Sequence, residues 1–202
     1  MQNTYRLAGH AIEIKSIYKE VHTLCAHYQV DDEAEYHIST TPADIDFERQ
    51  RSIRTESLEH VSIQNYTDSY LETLAVYRKL AQLLVQEDIL LMHGSVVAVD
   101  GQAYLFTAKS GTGKTTHTSL WMQHFGARAV MVNGDKPLLH VGNGGVTVYG
   151  TPWDGKERGC GRFLGPELSN SKIHLGGHIA AATLDGELDL EFAIFGEGSG
   201  DA

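Results

Sequence analysis

A glycine-rich stretch at residues 108–116, Ala-Lys-Ser-Gly-Thr-Gly-Lys-Thr-Thr, limits the fold of this chain more than any other feature. It follows the pattern of a small residue, four variable positions and Gly-Lys-Ser/Thr, which is typical of a phosphate-binding loop. Glycines permit the turns that bring successive backbone N–H groups together around phosphate oxygens. Residues 102–107 before the loop are strand-like, and residues 116–125 after it are helix-like. This order predicts an anion site at the N-terminus of a helix.

The residue types within the loop assign distinct chemical roles. Lys114 would bring a positive charge to the β- and γ-phosphates of a nucleotide, and Thr115 would offer its hydroxyl to the accompanying Mg²⁺. The predicted nucleotide-binding residues are Ser110, Gly111, Thr112, Gly113, Lys114, Thr115 and Thr116.

The sequence before the loop predicts a β-hairpin. Residues 89–99 are strand-like, Asp100-Gly101 is a two-residue hairpin turn signal, and residues 102–107 form the returning strand. In the common nucleotide-binding architecture, the strand before the loop belongs to a parallel sheet and is reached through a crossover helix. Here we expect a mixed or antiparallel sheet that carries the same loop.

The rest of the chain predicts further helices and strands, so the fold class is α/β in the broad sense, more closely α+β. Thr41 and Pro42 mark a helix start, and the clearest helix begins at Thr67 or Asp68. Other predicted elements are an extended segment at residues 4–14, a helix at 16–28, a strand at 34–39 and a strand at 188–194. The expected regions are an N-terminal α+β region (1–86), a nucleotide-binding core (87–157) and a divergent C-terminal segment (158–202). Two alternatives stay open for this last segment: a divergent lid, or a catalytic domain that is cut short.

Composition limits the classes of partner. The formal net charge of −10 disfavours nucleic acid, because a nucleic-acid-binding protein needs a basic surface. No apolar run approaches the roughly 20 residues of a membrane span, and no export signal is evident. Cys25 and Cys160 are isolated, so neither a disulfide framework nor a cysteine-based zinc site is indicated. We therefore expect a cytoplasmic protein with no membrane partner.

Three motifs together resemble the HPr kinase/phosphorylase family, which shares its nucleotide site with phosphoenolpyruvate carboxykinases. The resemblance is closest to a bacterial branch in which the later motif is similar to residues 150–157 here, Gly-Thr-Pro-Trp-Asp-Gly-Lys-Glu. The motifs are His93-Gly94-Ser95, residues 110–115 and Asn133-Gly134-Asp135-Lys136-Pro137. The resemblance implies a mixed sheet of the HPr kinase/carboxykinase type, with ATP and Mg²⁺ as cofactors.

The resemblance also implies roles for individual residues. Asp135 matches an acidic position that holds the metal or handles the acceptor's proton, and His93 matches a histidine near metal and phosphate. The implied catalytic residues are thus Asp135, His93 and Lys114, with Thr115 and Asp135 as metal ligands. Kinases of this family usually have two consecutive Asp residues where this chain has Gly134-Asp135. Either the Asp135 carboxylate alone performs the tasks that the two aspartates share in the family, or another group acts as the base.

Alternatives stay open at this point for several residues. His93 could be a hydrogen-bonded strand histidine, and Asp135 could be a turn residue at the end of a strand. Asp154, Lys156 and Arg158 could reach a transferred phosphoryl group or simply form a solvated turn. His174 and His178 have the i,i+4 spacing of a helical metal site, but the two glycines between them argue against a helix.

Three functions agree with these observations to different degrees. The first is an ATP-dependent kinase that phosphorylates a hydroxyl, such as a serine, in a protein, a peptide or a small molecule. The second is a nucleotide-binding regulatory or inactive module without phosphotransfer. The third, a decarboxylating carboxykinase, is disfavoured because such enzymes are usually far longer. The expected partners are a nucleotide and an unidentified hydroxyl acceptor, and the sequence is also compatible with a homo-oligomer.

Overall fold

A computed structural model describes residues 1–58, 60–107, 113–142 and 145–155, together with the backbone of three two-residue strands further along the chain. The architecture is mixed α+β. The chain divides into two compact units, Met1–Leu90 and Leu91–Ala202. Among the described residues, no helix combines the length and the apolar character that crossing a bilayer requires.

The first unit contains a three-stranded sheet and three α-helices. Strands β1 and β2 are antiparallel, whereas β3 runs parallel to β2. Short 3-10 turns follow the first and third helices, at Ala26–Tyr28 and Val85–Glu87. The elements are β1 (Gln2–Leu7), β2 (His10–Lys15), α1 (Lys19–Cys25), β3 (Tyr36–Ser39), α2 (Pro42–Leu58) and α3 (Asp68–Leu84).

The structure refines two sequence predictions for this unit. Residues 4–14 are extended, as predicted, but they form a hairpin, because Ala8 and Gly9 turn the chain with φ values of 50° and 91°. The helix expected at 16–28 begins later, at Lys19. The backbone N–H groups of Ile17 and Tyr18 donate to the buried Glu72 carboxylate, each at 2.7 Å, so this segment is held outside the helix.

The second unit is built around a mixed sheet with the strand order β10–β6–β5–β7. β5 is antiparallel to both β6 and β7, and β10 is parallel to β6. Strand β4 lies where the two units divide, β8 and β9 form an antiparallel hairpin, and β11 pairs antiparallel with β12. The elements are β4 (Ile89–Leu91), β5 (Ser95–Val99), β6 (Gln102–Phe106), α4 (Lys114–Phe125), β7 (Ala129–Asn133), β8 (Leu138–Gly142), β9 (Gly145–Tyr149), β10 (His174–Leu175), β11 (Ile179–Ala180) and β12 (Glu191–Phe192).

The hairpin predicted before the phosphate loop is confirmed. β5 pairs antiparallel with β6, and Asp100 and Gly101 close the turn with φ values of 51° and 82°. Both left-handed values suit the two-residue turn whose twist matches the flanking strands. The expected single strand over residues 89–99 is wrong, however, because it is interrupted between β4 and β5. Of the motif His93-Gly94-Ser95, only Ser95 belongs to the hairpin strand.

The central strand β5 is buried on both faces of the sheet. On one face, Val97 and Val99 pack in a cluster that includes Trp121 and Phe125 of α4. On the other face, Val96 and Ala98 pack in a cluster with side chains of the β8–β9 hairpin. Successive residues of a strand point to opposite faces, so a strand covered on both sides has a continuous apolar sequence. This explains why the run Ser-Val-Val-Ala-Val shows no alternation.

Candidate functional site

Three segments that carry the predicted site residues leave the sheet at one edge. β6 ends there at Phe106, β5 begins there at Ser95, and β7 ends there at Asn133. The register shows this directly, because Ser95 pairs with Phe106 and the next residue, Val96, pairs with Asn133. We call this end of the three strands the site edge. His93 therefore lies between the start of the phosphate loop and the turn that contains Asp135.

Helix α4 directs its N-terminus toward the site edge. The ring of His117, in the first turns of α4, lies 4.8 Å from the ring of Phe106 at the end of β6. Beyond the C-terminus of α4, Arg128 pairs with Asp100 at the opposite end of the sheet, where the guanidinium lowers the pKa of the Asp100 carboxyl. The positive end of the helix dipole and the first-turn N–H groups thus face the edge where His93 and Asp135 lie.

The described part of the phosphate loop begins at Gly113. Gly113 caps α4 with a φ of 90°, a conformation that glycine adopts without strain. Lys114, the first helical residue, is partly exposed, and Thr115 and Thr116 are exposed. The other predicted loop residues, Ser110, Gly111 and Thr112, lie outside the described residues.

His93 and Asp135 lie close together, as their predicted roles require. His93 Nε2 is 3.2 Å from Asp135 Oδ1, and Lys136 Nζ is 3.7 Å from Asp135 Oδ2. The side chains of His93 and Asp135 are 54% and 31% exposed, so a ligand can reach both. An imidazole and a carboxylate within hydrogen-bonding reach of each other are both groups that can accept a proton from a hydroxyl. The pair can therefore act on a hydroxyl brought to the site edge.

The backbone around this pair is held from both sides. Gly94 N–H donates to Asp135 O at 2.9 Å, and Met92 N–H donates to Pro137 O at 3.1 Å. On the other side, the Thr107 hydroxyl donates to His93 O at 3.1 Å. These bonds explain the interruption before β5, because residues 92–94 follow the turn at 135–137 instead of continuing a ladder. They also fix His93 relative to the phosphate loop's entry and to Asp135.

The side chain of Asn133 organises the turn that presents Asp135. Asn133 Oδ1 accepts from the N–H groups of Asp135 (3.0 Å) and Lys136 (2.6 Å). Its Nδ2 donates to the carbonyl and the hydroxyl oxygen of Thr151, at 3.1 and 3.2 Å. The Thr151 hydroxyl in turn donates to Lys136 O at 2.7 Å. Asn133 is fully buried, so these bonds are shielded from competing water.

Asp154 was only a weak candidate from sequence, yet its carboxylate lies next to Gly134. It is 7% exposed, and its Oδ1 accepts a hydrogen bond from Gly134 N–H, so the alternative of a solvated turn is wrong for this residue. Lys156 and Arg158 lie outside the described residues. The sequence feature that corresponds to this contact is the glycine at position 134. A Cβ on Gly134 would lie 2.7 Å from the backbone oxygen of Asp154. The second aspartate typical of the family therefore has no room at this position.

The donors available for Mg²⁺ suit a nucleotide-borne ion better than a protein-only metal centre. The described residues contain no cluster of three or more His, Cys, Asp or Glu side chains that could hold a metal. Mg²⁺ at phosphate sites is commonly bound by one or two carboxylates and by the phosphates themselves. The Asp135 carboxylate and the Thr115 hydroxyl are oxygen donors of this kind. His174 lies in strand β10, not in a helix, and His178 falls outside the described residues.

Comparison with known proteins does not identify a family. No protein-family model matches this sequence, and no curated protein matches it. The resemblance to the HPr kinase family thus rests on the three motifs alone, and the function has to be argued from the geometry of the site edge.

Proposed function

We propose that this chain is a cytoplasmic ATP-dependent kinase that binds Mg²⁺-ATP through residues 108–116 and phosphorylates a hydroxyl acceptor of the serine type. One observation carries the proposal: the N-terminus of α4, with Lys114, faces the same sheet edge as the His93–Asp135 pair. A phosphate-binding helix end alone would suit a simple nucleotide-binding module. An exposed carboxylate and imidazole at the same edge provide groups that can accept a proton from a hydroxyl.

The proposed reaction divides its tasks among these residues. The acceptor oxygen attacks the γ-phosphorus, the bond to the β,γ-bridging oxygen breaks, and ADP leaves. The hydroxyl proton passes to the Asp135 carboxylate or to the imidazole of His93. His93 Nε2 lies 3.2 Å from Asp135 Oδ1. Lys114 and the first-turn N–H groups of α4 balance the phosphate charge. Mg²⁺, when bound through Thr115 and Asp135, supplies further positive charge to the phosphates.

Positioning dominates catalysis in such a reaction, because phosphoryl transfer requires little covalent participation from the protein. The hydrogen bonds around His93 and Asp135 support the proposal for this reason. A binding module without turnover has no need to hold these two side chains rigidly beside a phosphate loop. Such a module remains the alternative, motivated by Gly134 in place of a second aspartate.

The test is to separate nucleotide binding from turnover with two variants. We expect Lys114→Ala to weaken Mg²⁺-ATP binding at least tenfold in calorimetric titration, because the lysine's cation is lost. We expect Asp135→Asn to leave that affinity within about threefold and to lower ATP turnover by about 10²-fold or more, the scale of general-base loss. Turnover is assayed with serine peptides, small alcohols and water as acceptors. Lys19→Ala and Asp100→Asn are the matched controls, since Lys19 is an exposed residue of the first unit and Asp100 lies at the opposite end of the sheet from the site edge.

Each outcome has a clear meaning. Nucleotide binding by the wild-type protein without transfer to any acceptor, water included, favours the regulatory module. Turnover that survives Asp135→Asn assigns the proton acceptor to His93 instead. Equal nucleotide affinities of Lys114→Ala and wild type would contradict the use of the loop.

A further inference from the structure

The segment that follows β9 is buried although it contains a charged side chain. Thr151, Trp153 and Asp154 are only 2%, 6% and 7% exposed. Burying a carboxylate is costly unless hydrogen bonds or opposite charges compensate for the lost water. A buried aspartate beside a candidate site therefore needs a reason, and its contacts supply one.

The contact of Asp154 is with the turn that presents Asp135. Its Oδ1 accepts from the N–H of Gly134, the residue directly before Asp135. The next two N–H groups, of Asp135 and Lys136, are bound by Asn133. Every backbone N–H from 134 to 136 thus has an acceptor, and the carboxyl group of Asp154 supplies the one directly before Asp135.

Gly155 shows how closely the same segment approaches the turn. It has a φ of 76°, and a Cβ built on it would lie 3.1 Å from Asp135 Cβ, so only glycine lets the chain pass this close to Asp135. The chain at 154–155 is therefore hydrogen-bonded to the turn at Gly134 and lies close beside Asp135. A shift of this segment would move the Asp135 carboxylate relative to His93.

We propose that Asp154 is a positioning residue, which holds the turn at 133–136 so that Asp135 faces the acceptor hydroxyl. The site would then use two carboxylates, one exposed at 135 and one buried at 154, although position 134 has no side chain. This inference rests on the kinase function proposed above. It assigns to Asp154 no contact with nucleotide or acceptor, so its effect should fall on turnover and not on nucleotide affinity.

The experiment compares Asp154→Ala with the near-isosteric Asp154→Asn, whose side-chain oxygen can still accept from Gly134 N–H. We expect Asp154→Ala to lower kcat by roughly 10- to 100-fold, as loss of a supporting hydrogen bond at a site does, with the nucleotide Kd unchanged within about threefold. Asp154→Asn should recover most of that loss. A purely structural role would instead lower the folded fraction, which circular dichroism and thermal unfolding measure separately.

A readout that needs no activity is the hydrogen exchange of the Gly134 amide, followed by NMR. We expect exchange at this amide to be about tenfold or more faster in Asp154→Ala and intermediate in Asp154→Asn, while strand amides of β5 are unchanged. Should Asp154→Ala not fold, the Gly134 exchange rate of Asp154→Asn decides: an intermediate rate supports the proposal and the wild-type rate overturns it. Wild-type exchange and kcat in folded Asp154→Ala would also overturn the proposal. Faster exchange in Asp154→Ala, together with a wild-type protein that shows no turnover, would refute the kinase function and leave the positioning contact standing.

Discussion

At the scale of single residues, the space beside Gly134 decides how carboxylates are distributed in the site. A Cβ built at position 134 would lie 2.7 Å from the backbone oxygen of Asp154 and 3.3 Å from Asp154 Oδ1. The variant Gly134→Asp reproduces the paired aspartates of the family that the motifs resemble. We expect it to destabilise the protein by about 1–3 kcal/mol through overpacking. It should also lower turnover instead of raising it. Urea unfolding and the ATP assay measure the two effects.

Gly134→Ala is the matched control, because it adds the Cβ without a charge. If Gly134→Ala and Gly134→Asp destabilise equally, the clash alone is responsible. A Gly134→Asp variant as stable as wild type would contradict the described packing.

The sequence predicted some site residues and missed others for a physical reason. His93 and Asp135 belong to short motifs next to strand ends, so their proximity follows once the three strands share an edge. Asp154 is distant in sequence from Gly134 and reaches it only because the β8–β9 hairpin returns the chain. A contact created by such a return has no local sequence pattern, and Gly134 by itself does not tell which residue lies beside it.

At the scale of elements, a network of charges joins α2 to α3 within the first unit. Lys79 Nζ donates to the Asp44 carboxylate at 2.9 Å, and Arg78 Nε donates to the nearly buried Glu48 at 2.5 Å. The Thr41 hydroxyl and N–H also donate to Asp44, at 2.8 and 2.9 Å. Partial burial opposes ionisation of Asp44, but the bonds from Lys79 and Thr41 outweigh it and lower the pKa of the carboxyl from 3.8 to about 2.

This lowered pKa predicts a pH dependence of stability. A carboxyl whose pKa is lower in the folded state stabilises the fold above its unfolded pKa, and this contribution is lost as the pH falls from about 4 to about 2. We expect Asp44→Asn to remove on the order of 1–2 kcal/mol at neutral pH, a value reduced for solvent screening, and to flatten that part of the profile. Urea unfolding of both proteins between pH 5 and pH 2.5 is the measurement.

Asp46→Asn is the control for this prediction, because Asp46 lies on the same helix with 76% of its side chain exposed. The network does not stabilise the protein as proposed if both variants lose the same free energy of unfolding. The same conclusion follows if the unfolding free energy of Asp44→Asn falls with pH as steeply as that of the wild type.

Elements defined by local signals were predictable, and elements defined by distant partners were not. Asp100-Gly101 encodes its own turn, so the β5–β6 hairpin could be predicted. The break between β4 and β5 could not, because Met92 and Gly94 donate to residues 137 and 135. The start of α1 was misplaced for the same reason, since Glu72 binds the preceding N–H groups from helix α3. The β1–β2 hairpin had only a weak signal in Gly9.

At the scale of the whole molecule, the two units contain different residues with which their unfolding can be followed separately. Both tryptophans of the chain are in the second unit: Trp121 lies 4.8 Å from the ring of Tyr104, and Trp153 is buried near Asp154. Cys25 is buried in the first unit. Tryptophan fluorescence therefore follows the unit with the candidate site, while thiol labelling in a Cys160→Ser background follows the other.

We expect nucleotide to stabilise only the unit that binds it. A non-hydrolysable ATP analogue with Mg²⁺, at about 100 times its Kd, should add about 2.7 kcal/mol to the unfolding free energy seen by fluorescence. The urea concentration at which half of the Cys25 thiols become accessible to labelling should not change. Lys114→Ala, if it binds at least tenfold more weakly, should reduce that gain to about 1.4 kcal/mol or less at the same analogue concentration. Equal shifts of both probes would mean that the two units unfold as one cooperative block.

The hydrogen bonds between residues 133–136 and 151–154 also set an order of events during synthesis. The β5–β6 hairpin and α4 close over short stretches of chain, so they can form as soon as residues up to 125 leave the ribosome. The turn of Asp135 lacks its Thr151 and Asp154 partners until residue 154 has emerged. A nascent chain would thus form the end of α4 that we propose to bind nucleotide before the turn of Asp135 is held in place. Under the proposed function, nucleotide could be captured before it could be used.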